Sequence, residues 1–121
     1  MQQLKKILDD KTVKVLAGDI PAGDWEFSTG TLWGPFDQIE LLGKLRSVQL
    51  QTEESVKKVS ETLGWGLAGG LIFGPTGFLA GILLGGNKKE VCALCELKDG
   101  RRFLAVMASK TYQQILAMTM Q

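Results

Sequence analysis

The sequence predicts an α+β domain: a small, mostly antiparallel sheet, a carboxy-terminal helix, and a glycine-rich helical hairpin inserted before the last two strands. Three observations predict this class. Short apolar or alternating runs are separated by turn residues, as in a sheet of short strands. Glycine recurs every four positions in one long uncharged stretch, and the last ten residues are amphipathic. With 121 residues the chain has room for one domain, so residues 1–121 are predicted to form it, with the insertion at about 53–87.

The first third of the chain predicts a short helix followed by short strands. Residues 2–10 carry apolar side chains at helical spacing, enough for two turns. Val13 and Val15 alternate with polar neighbours, as does the stretch around Trp25, so each indicates a half-buried strand with Trp25 in the core. The segment Thr31–Trp33 lies between glycine-containing turns and predicts a short strand suited to a sheet edge.

The middle of the chain predicts a broken strand and then a helix. Residues 38–51 indicate a strand region that is interrupted near Gly43. Its apolar residues, Leu45 and Val48 among them, do not share one face, so a bulge or bend is expected there. Thr52 is predicted to cap the following helix, because a threonine hydroxyl can accept a bond from a free amide of the first turn.

The last third predicts a β-hairpin and a final helix. Runs 91–97 and 102–108 flank Asp99 and Gly100, a strong hairpin signal. The second run is apolar on both of its faces, so both faces should be covered. The final helix, with Ser109 as its predicted cap, is expected to cover one face. The glycine-rich segment is the candidate cover for the other.

That segment, residues 63–86, contains no charged residue and predicts a helical hairpin. Glycines four apart lie on one face of a helix, where they let two backbones approach closely. The two series meet at a turn-forming sequence around Pro75. Six glycines are therefore the predicted helix-packing or oligomer-contact residues: Gly66, Gly70, Gly74, Gly77, Gly81 and Gly85.

The cover of this apolar hairpin is left open between protein and lipid. The turn at Pro75 divides it into arms of about 11 residues, each reaching about 17 Å as a helix, against about 30 Å of hydrocarbon in a bilayer. Packing on the domain itself or on a second copy is therefore favoured over a full membrane span. Shallow or re-entrant membrane contact through residues 63–86 is the alternative, and a single pass as one uninterrupted helix is the remaining one.

The composition argues against common catalytic, metal and nucleic-acid functions. Histidine is absent, which removes the usual general base and the commonest metal ligand. Cys92 and Cys95 have no further ligands for zinc and lie in a predicted strand, where positions three apart face opposite ways, so they are interpreted as buried structural residues. We expect no catalytic residues, no cofactor, no metal and no small-molecule substrate. A net charge of +1 without a basic stripe predicts no nucleic-acid partner.

Two further features bear on partners and location. Trp33 and Phe36, beside Gly34-Pro35, form a candidate recognition patch, since aromatic side chains dominate binding hot spots. The amino-terminal residues carry charges where a signal peptide needs an apolar run, so a cytoplasmic protein, with membrane association as the alternative, is expected.

Three segments carry a resemblance to a known kind of protein: residues 39–50 (IELLGKLRSVQL), 74–81 (GPTGFLAG) and 89–101 (KEVCALCELKDGR). In them the chain resembles small bacterial and phage proteins in which a glycine-rich hairpin interrupts a pleckstrin-homology-like β-domain. A "Lys-x-Tyr-x-x-Leu"-like helix follows in that family, matched here by Lys110, Tyr112 and Ile115. The resemblance covers roughly residues 13–118. It implies a binding or scaffolding module and not an enzyme. The leading expectation for the chain is therefore a non-catalytic interaction protein that binds another macromolecule or itself.

Overall fold

A computed structural model of the chain describes residues 11–65 and 90–120. Seven strands and two helices lie in these ranges. In chain order they are β1 (Thr12–Gly18), β2 (Gly23–Ser28), β3 (Thr31–Trp33), β4 (Gln38–Glu40), β5 (Leu45–Leu50), α1 (Glu53–Leu63), β6 (Glu90–Leu97), β7 (Arg102–Ala108) and α2 (Ser109–Met118). The predicted helix at 2–10 and the glycine-rich segment from 66 onward lie outside the described residues.

The strands form one antiparallel sheet with the order β4-β3-β2-β1-β7-β6-β5. A single core cluster contains Ile39 from β4 at one edge and Leu45 and Val48 from β5 at the other. The sheet must therefore curl so that its two edge strands share the same inner face. The predicted class, α+β with an antiparallel sheet and a carboxy-terminal helix, is confirmed.

The inner face of the sheet is closed by α2. Phe103, Ala105 and Met107 of β7 lie in the inner cluster together with Ile115 of α2, and none of the four is more than 2% exposed. Tyr112, on the same helix, packs against the cluster from its margin. The helix therefore covers the inner face, as the two-sided apolar pattern of residues 102–108 predicts.

The outer face of the sheet is apolar only over part of its width. Leu104 and Val106 of β7 form a second cluster with Val56 of α1, and Val59 and Trp65 pack against it. Within the described residues, α1 and Trp65 thus cover the apolar part of the outer face. The glycine-rich segment, which the sequence predicts to cover the outer face of β7, lies outside the described residues.

Helix α1 has well-formed ends. The Thr52 hydroxyl accepts a hydrogen bond from the Ser55 backbone N–H, and the Ser55 hydroxyl accepts one from the Thr52 N–H, a reciprocal cap. Gly64 ends the helix with a φ of +69°, a conformation that costs glycine nothing. The predicted cap at Thr52 is confirmed.

Two sequence predictions need correction. Ser109 does not cap α2: Ala108 is the cap residue, no side chain bonds the free amides there, and Ser109 is the first helical residue. The segment Thr31–Trp33 is not an edge strand, because β4 pairs along its other side. The predicted interruption of residues 38–51 near Gly43 is confirmed. Gly43, at a φ of +78°, lies in a turn that sends β4 and β5 to opposite edges of the sheet. The expected bulge does occur, between Leu45 and Ser47.

Candidate interaction surface

The outer face of β2, β3 and β4 is polar, in contrast to the apolar half on β6 and β7. Strand alternation decides which side chains lie there. Trp25, Leu32 and Ile39 are buried in the inner cluster. Their neighbours Glu26 and Trp33 therefore project from the opposite, outer face.

Trp33 lies in the middle of this outer face. It is paired across the sheet with Glu26 of β2 on one side and Gln38 of β4 on the other. Directly opposed side chains on neighbouring strands have Cβ atoms about 5 Å apart, so the three form one row. The indole is 44% exposed, and its Nε1–H donates to the Ser28 backbone oxygen at 3.2 Å. This bond fixes one edge of the ring and leaves much of its surface in water.

The turn between β3 and β4 presents Phe36, which is 99% exposed. The turn is closed by two hydrogen bonds: the Gly34 N–H donates to the Asp37 backbone oxygen at 2.8 Å, and the Gln38 N–H donates to the Asp37 carboxylate at 2.7 Å. A Cβ on Gly34 would lie 2.8 Å from the buried Trp25 ring, so glycine is needed for this close approach. Phe36 thus projects from a hydrogen-bonded turn held against the core.

A small apolar hollow of about 100 Å³ lies beside this turn. Pro21 and Ala22 line one side of it and Pro35 and Phe36 the other, with Trp25 among the lining residues. The Trp25 Nε1–H donates to the Pro21 backbone oxygen at 3.0 Å, which ties the two loops to the same core residue. The hollow could receive one small apolar side chain next to the exposed phenyl ring.

The charge of this region differs from that of the whole chain. Residues 15–43 contain five carboxylates and no Lys or Arg, a charge of −5 in a chain whose net charge is +1. Asp19, one of the five, accepts a hydrogen bond from the Arg102 N–H, away from this surface. The other four lie on the outer face of β2 and β4 or in the turn between β3 and β4. With the two aromatic residues and Gln38 they form what we call the acidic aromatic face: Asp24, Glu26, Trp33, Phe36, Asp37, Gln38 and Glu40.

Of the predicted patch, Trp33 and Phe36 both lie at the surface, Trp33 on the outer face of β3 and Phe36 in the turn that follows it. Total charge and short charged groups do not reveal the carboxylates of this region. The sequence feature that indicates them is the stretch between Lys14 and Lys44, which contains five acidic residues and no basic one.

The two cysteines are buried on opposite faces of β6, as predicted. Cys95 belongs to the inner cluster and Cys92 to the outer one, and both are free thiols. Burial raises the pKa of each thiol to about 12, with the neighbouring cysteine a lesser contribution at Cys95. Among residues 11–65 and 90–120, no three His, Cys, Asp or Glu side chains are grouped to hold a metal.

We therefore expect the thiols of the folded protein to be inert. Thiolate is the reactive form, and a pKa near 12 leaves only a minute fraction of thiolate at pH 8. Labelling with a chromogenic disulfide should be very slow in buffer and fast and complete in 6 M guanidinium, about two thiols per chain. The Cys92→Ala, Cys95→Ala double variant should keep its fold and give no signal. Rapid stoichiometric labelling of the folded chain, or stoichiometric metal lost in the double variant, would contradict a structural role.

A second concavity, of about 380 Å³, lies between the amino-terminal end of α2 and the turn joining β2 to β3. Lys11, Lys110 and Gln114 line it together with the hydroxyl residues of both elements. Thr29, in that turn, has a φ of +52°, unusual for a β-branched residue. Its hydroxyl donates to the Ser28 backbone oxygen at 2.6 Å. The lysines at this end of the sheet contrast with the carboxylates of the acidic aromatic face.

The six glycines predicted to pack helices lie outside the described residues. In the described part of the chain, neither helix has the length and apolar character needed to cross a bilayer. Comparison of the chain with protein families, with curated proteins and with solved structures finds no significant match.

Proposed function

We propose that this chain is a non-catalytic protein-interaction module that presents its acidic aromatic face to another protein. The observation that carries the proposal is the exposure of two large aromatic side chains, Phe36 at 99% in the turn between β3 and β4 and Trp33 at 44% on β3. Covering an aromatic side chain contributes on the order of 2 kcal/mol. Trp is among the residues that most often dominate protein interfaces.

The hydrogen bonds around the two aromatics support this role further. Trp33 is bonded to Ser28 and the Phe36 turn is closed on Asp37, so a partner would order few new torsions on binding. Affinity is gained mostly by lowering such ordering costs. The small hollow beside Phe36 gives the surface a shape as well as a composition.

The test is loss of a partner when the aromatics are truncated. Proteins captured from an extract of the producing cells by the immobilised chain should be identified, purified and titrated directly. The Trp33→Ala, Phe36→Ala double variant should bind such a partner at least tenfold more weakly, because hot-spot truncations typically cost 2 kcal/mol or more. Both side chains are exposed, so the melting temperature should change little.

A matched control is Leu50→Ala, which removes a side chain that is 56% exposed on β5, at the other edge of the sheet. It should leave partner binding unchanged. If the double variant bound every confirmed partner as tightly as the parent, the acidic aromatic face would not be the binding surface.

We also propose that the sheet is of the pleckstrin-homology-like kind and that the glycine-rich segment forms the inserted hairpin. Seven antiparallel strands followed by a helix support the first proposal. The second rests on the glycine spacing and on the position of Trp65, which leads from α1 into that segment while packing on the apolar outer cluster.

Self-assembly through this hairpin is the second candidate function, favoured by the apolar character of the outer half of the sheet. A cytoplasmic location accords with two free buried cysteines. Sedimentation of detergent-free protein, with and without liposomes, separates self-assembly from the membrane-associating alternative. Oligomers that ignore liposomes support the first, and complete transfer onto liposomes the second.

A further inference from the structure

We infer that the partner of the acidic aromatic face is a basic polypeptide segment, one whose arginine or lysine side chains lie over Trp33 and among the surrounding carboxylates. This inference rests on the proposed function and specifies the chemistry of the partner. It follows from the distribution of charge, from the position of Trp33 in the sheet, and from the hollow next to Phe36.

The charge distribution argues for a cationic partner. The surface lies within the stretch of 29 residues, 15–43, that bears −5 in a chain of net charge +1. Within the described residues, ion pairs engage Asp24, 4.0 Å from Lys14, but none engages Glu26, Asp37 or Glu40. Lys14 of β1, the cross-strand neighbour of Asp24, borders this surface, which is otherwise acidic. A predominantly acidic patch attracts ligands of opposite sign and disfavours phosphate-rich surfaces such as nucleic acids and anionic lipids.

The arrangement around Trp33 fits a guanidinium or ammonium group. Glu26 is directly opposite Trp33 on β2, and Glu40 lies two residues along β4 from Gln38, the cross-strand partner of Trp33 on its other side. Cations are attracted to the face of an indole, the best of the aromatic rings for this interaction. A guanidinium can stack on such a ring while its N–H groups bond a carboxylate, which makes arginine the better fit.

The hollow beside Phe36 favours a partner that also carries apolar side chains. Phe36, Pro21 and Pro35 line a hollow of about 100 Å³, with Asp24 and Asp37 among its other lining residues. A segment that places a basic side chain on Trp33 could place a neighbouring leucine or valine there. The expected ligand is thus a segment of mixed basic and apolar residues, and not a purely cationic chain.

The test uses the full chain and two synthetic peptides labelled with fluorescein. One has ten residues, with four arginines and two leucines among serines, and the other has glutamate in place of each arginine. Fluorescence anisotropy should show at least tenfold tighter binding of the arginine peptide at about 50 mM salt. The affinity should fall steeply as the salt rises to about 300 mM, because exposed charges are screened.

Variants locate the binding on the face. Trp33→Ala, Glu26→Gln and Glu40→Gln should each weaken the arginine peptide about two- to fivefold, the range expected for exposed cation–π and ion-pair contacts. Glu61→Gln removes the same charge from an exposed position on α1 and should change nothing. Equal binding of both peptides would overturn the inference. Equal losses of affinity in Glu61→Gln and in the face variants would also overturn it, because the binding would then depend on net charge alone.

The outcomes also separate this inference from the proposed function. A natural partner lost with Trp33→Ala but bound normally by Glu26→Gln and Glu40→Gln would leave the interaction module standing and refute the basic partner. Sedimentation of the chain with anionic phosphatidylserine vesicles that is abolished by Trp33→Ala would likewise refute it, since such vesicles should be repelled from an acidic surface.

Discussion

Replacing Gly18 with alanine should lower the free energy of unfolding by about 4 kcal/mol, the largest effect we expect from a single methyl group in this chain. Gly18 ends β1 at a φ of +137°, opposite Phe103 of β7. A Cβ built there would lie 2.5 Å from the Arg102 backbone oxygen and 2.5 Å from the Phe103 Cα. Both obstacles are backbone atoms in the centre of the sheet, so they cannot rotate away as a side chain could.

Gly23 supplies the matched control. Its φ is +132°, close to that of Gly18, but no atom lies within 4 Å of a Cβ placed on it. Gly23→Ala therefore adds only backbone strain, about 1–2 kcal/mol. Urea unfolding of both variants measures the difference between their losses in free energy of unfolding. That difference is the cost of the steric clash at Gly18. If the two variants lost the same free energy of unfolding, Gly18 of β1 would not lie in close contact with β7.

Replacing Leu104 with alanine should lower the free energy of unfolding by about 3 kcal/mol, within the range for large-to-small substitutions of fully buried leucine. Leu104 has no exposed surface, although it lies on the outer face of β7. Its cluster includes Val56 of α1, so the variant also weakens the attachment of that helix. For a domain of this size the thermal midpoint should fall by roughly 10 °C.

Leu42→Ala is the control of the same chemistry at the surface. Leu42 is 47% exposed and its truncation should change stability by no more than about 0.5 kcal/mol. Thermal unfolding by circular dichroism compares the two variants. A Leu104→Ala protein as stable as Leu42→Ala would mean that the outer face of β7 is not packed in solution.

The parts of the fold predicted from sequence are those in which local chemistry and tertiary structure agree. Asp99 and Gly100 fix the β6–β7 hairpin, since Gly100 adopts a φ of +99° and the Asp99 carboxylate accepts a bond from the Arg101 N–H. Thr52 caps α1 because Ser55 completes the reciprocal bonds within four residues of chain. In such cases the sequence holds all the partners of the interaction.

The predictions that needed correction depend on partners far away in the chain. The position of β3 inside the sheet is decided by β4. A break near Gly43 is predictable from the sequence, but the pairing of β4 with β3 and the placement of β5 at the other edge are not. Ser109 is a good cap residue, yet the chain enters α2 directly from β7, and the extended residue at the boundary is Ala108. At this boundary the direct connection from β7 into α2 outweighs the capping preference of Ser109.

The candidate site was half predictable for the same reason. Trp33 and Phe36 stand close in the sequence, so their loop could be recognised as an aromatic patch. The row formed by Glu26, Trp33 and Gln38 requires the register of three strands, which hydrophobic alternation alone does not give.

The burial of one cysteine on each face of β6 makes the strand a reporter of its own local unfolding. A thiol becomes reactive only when its cover opens, much as an amide exchanges only when its hydrogen bond breaks. Cys92 shares its cluster with Val56, so its rate of modification measures detachment of α1, whereas Cys95 is released only when the inner core opens. Two single-cysteine proteins would thus give, without any added probe, the separate opening free energies of the two sides of one sheet.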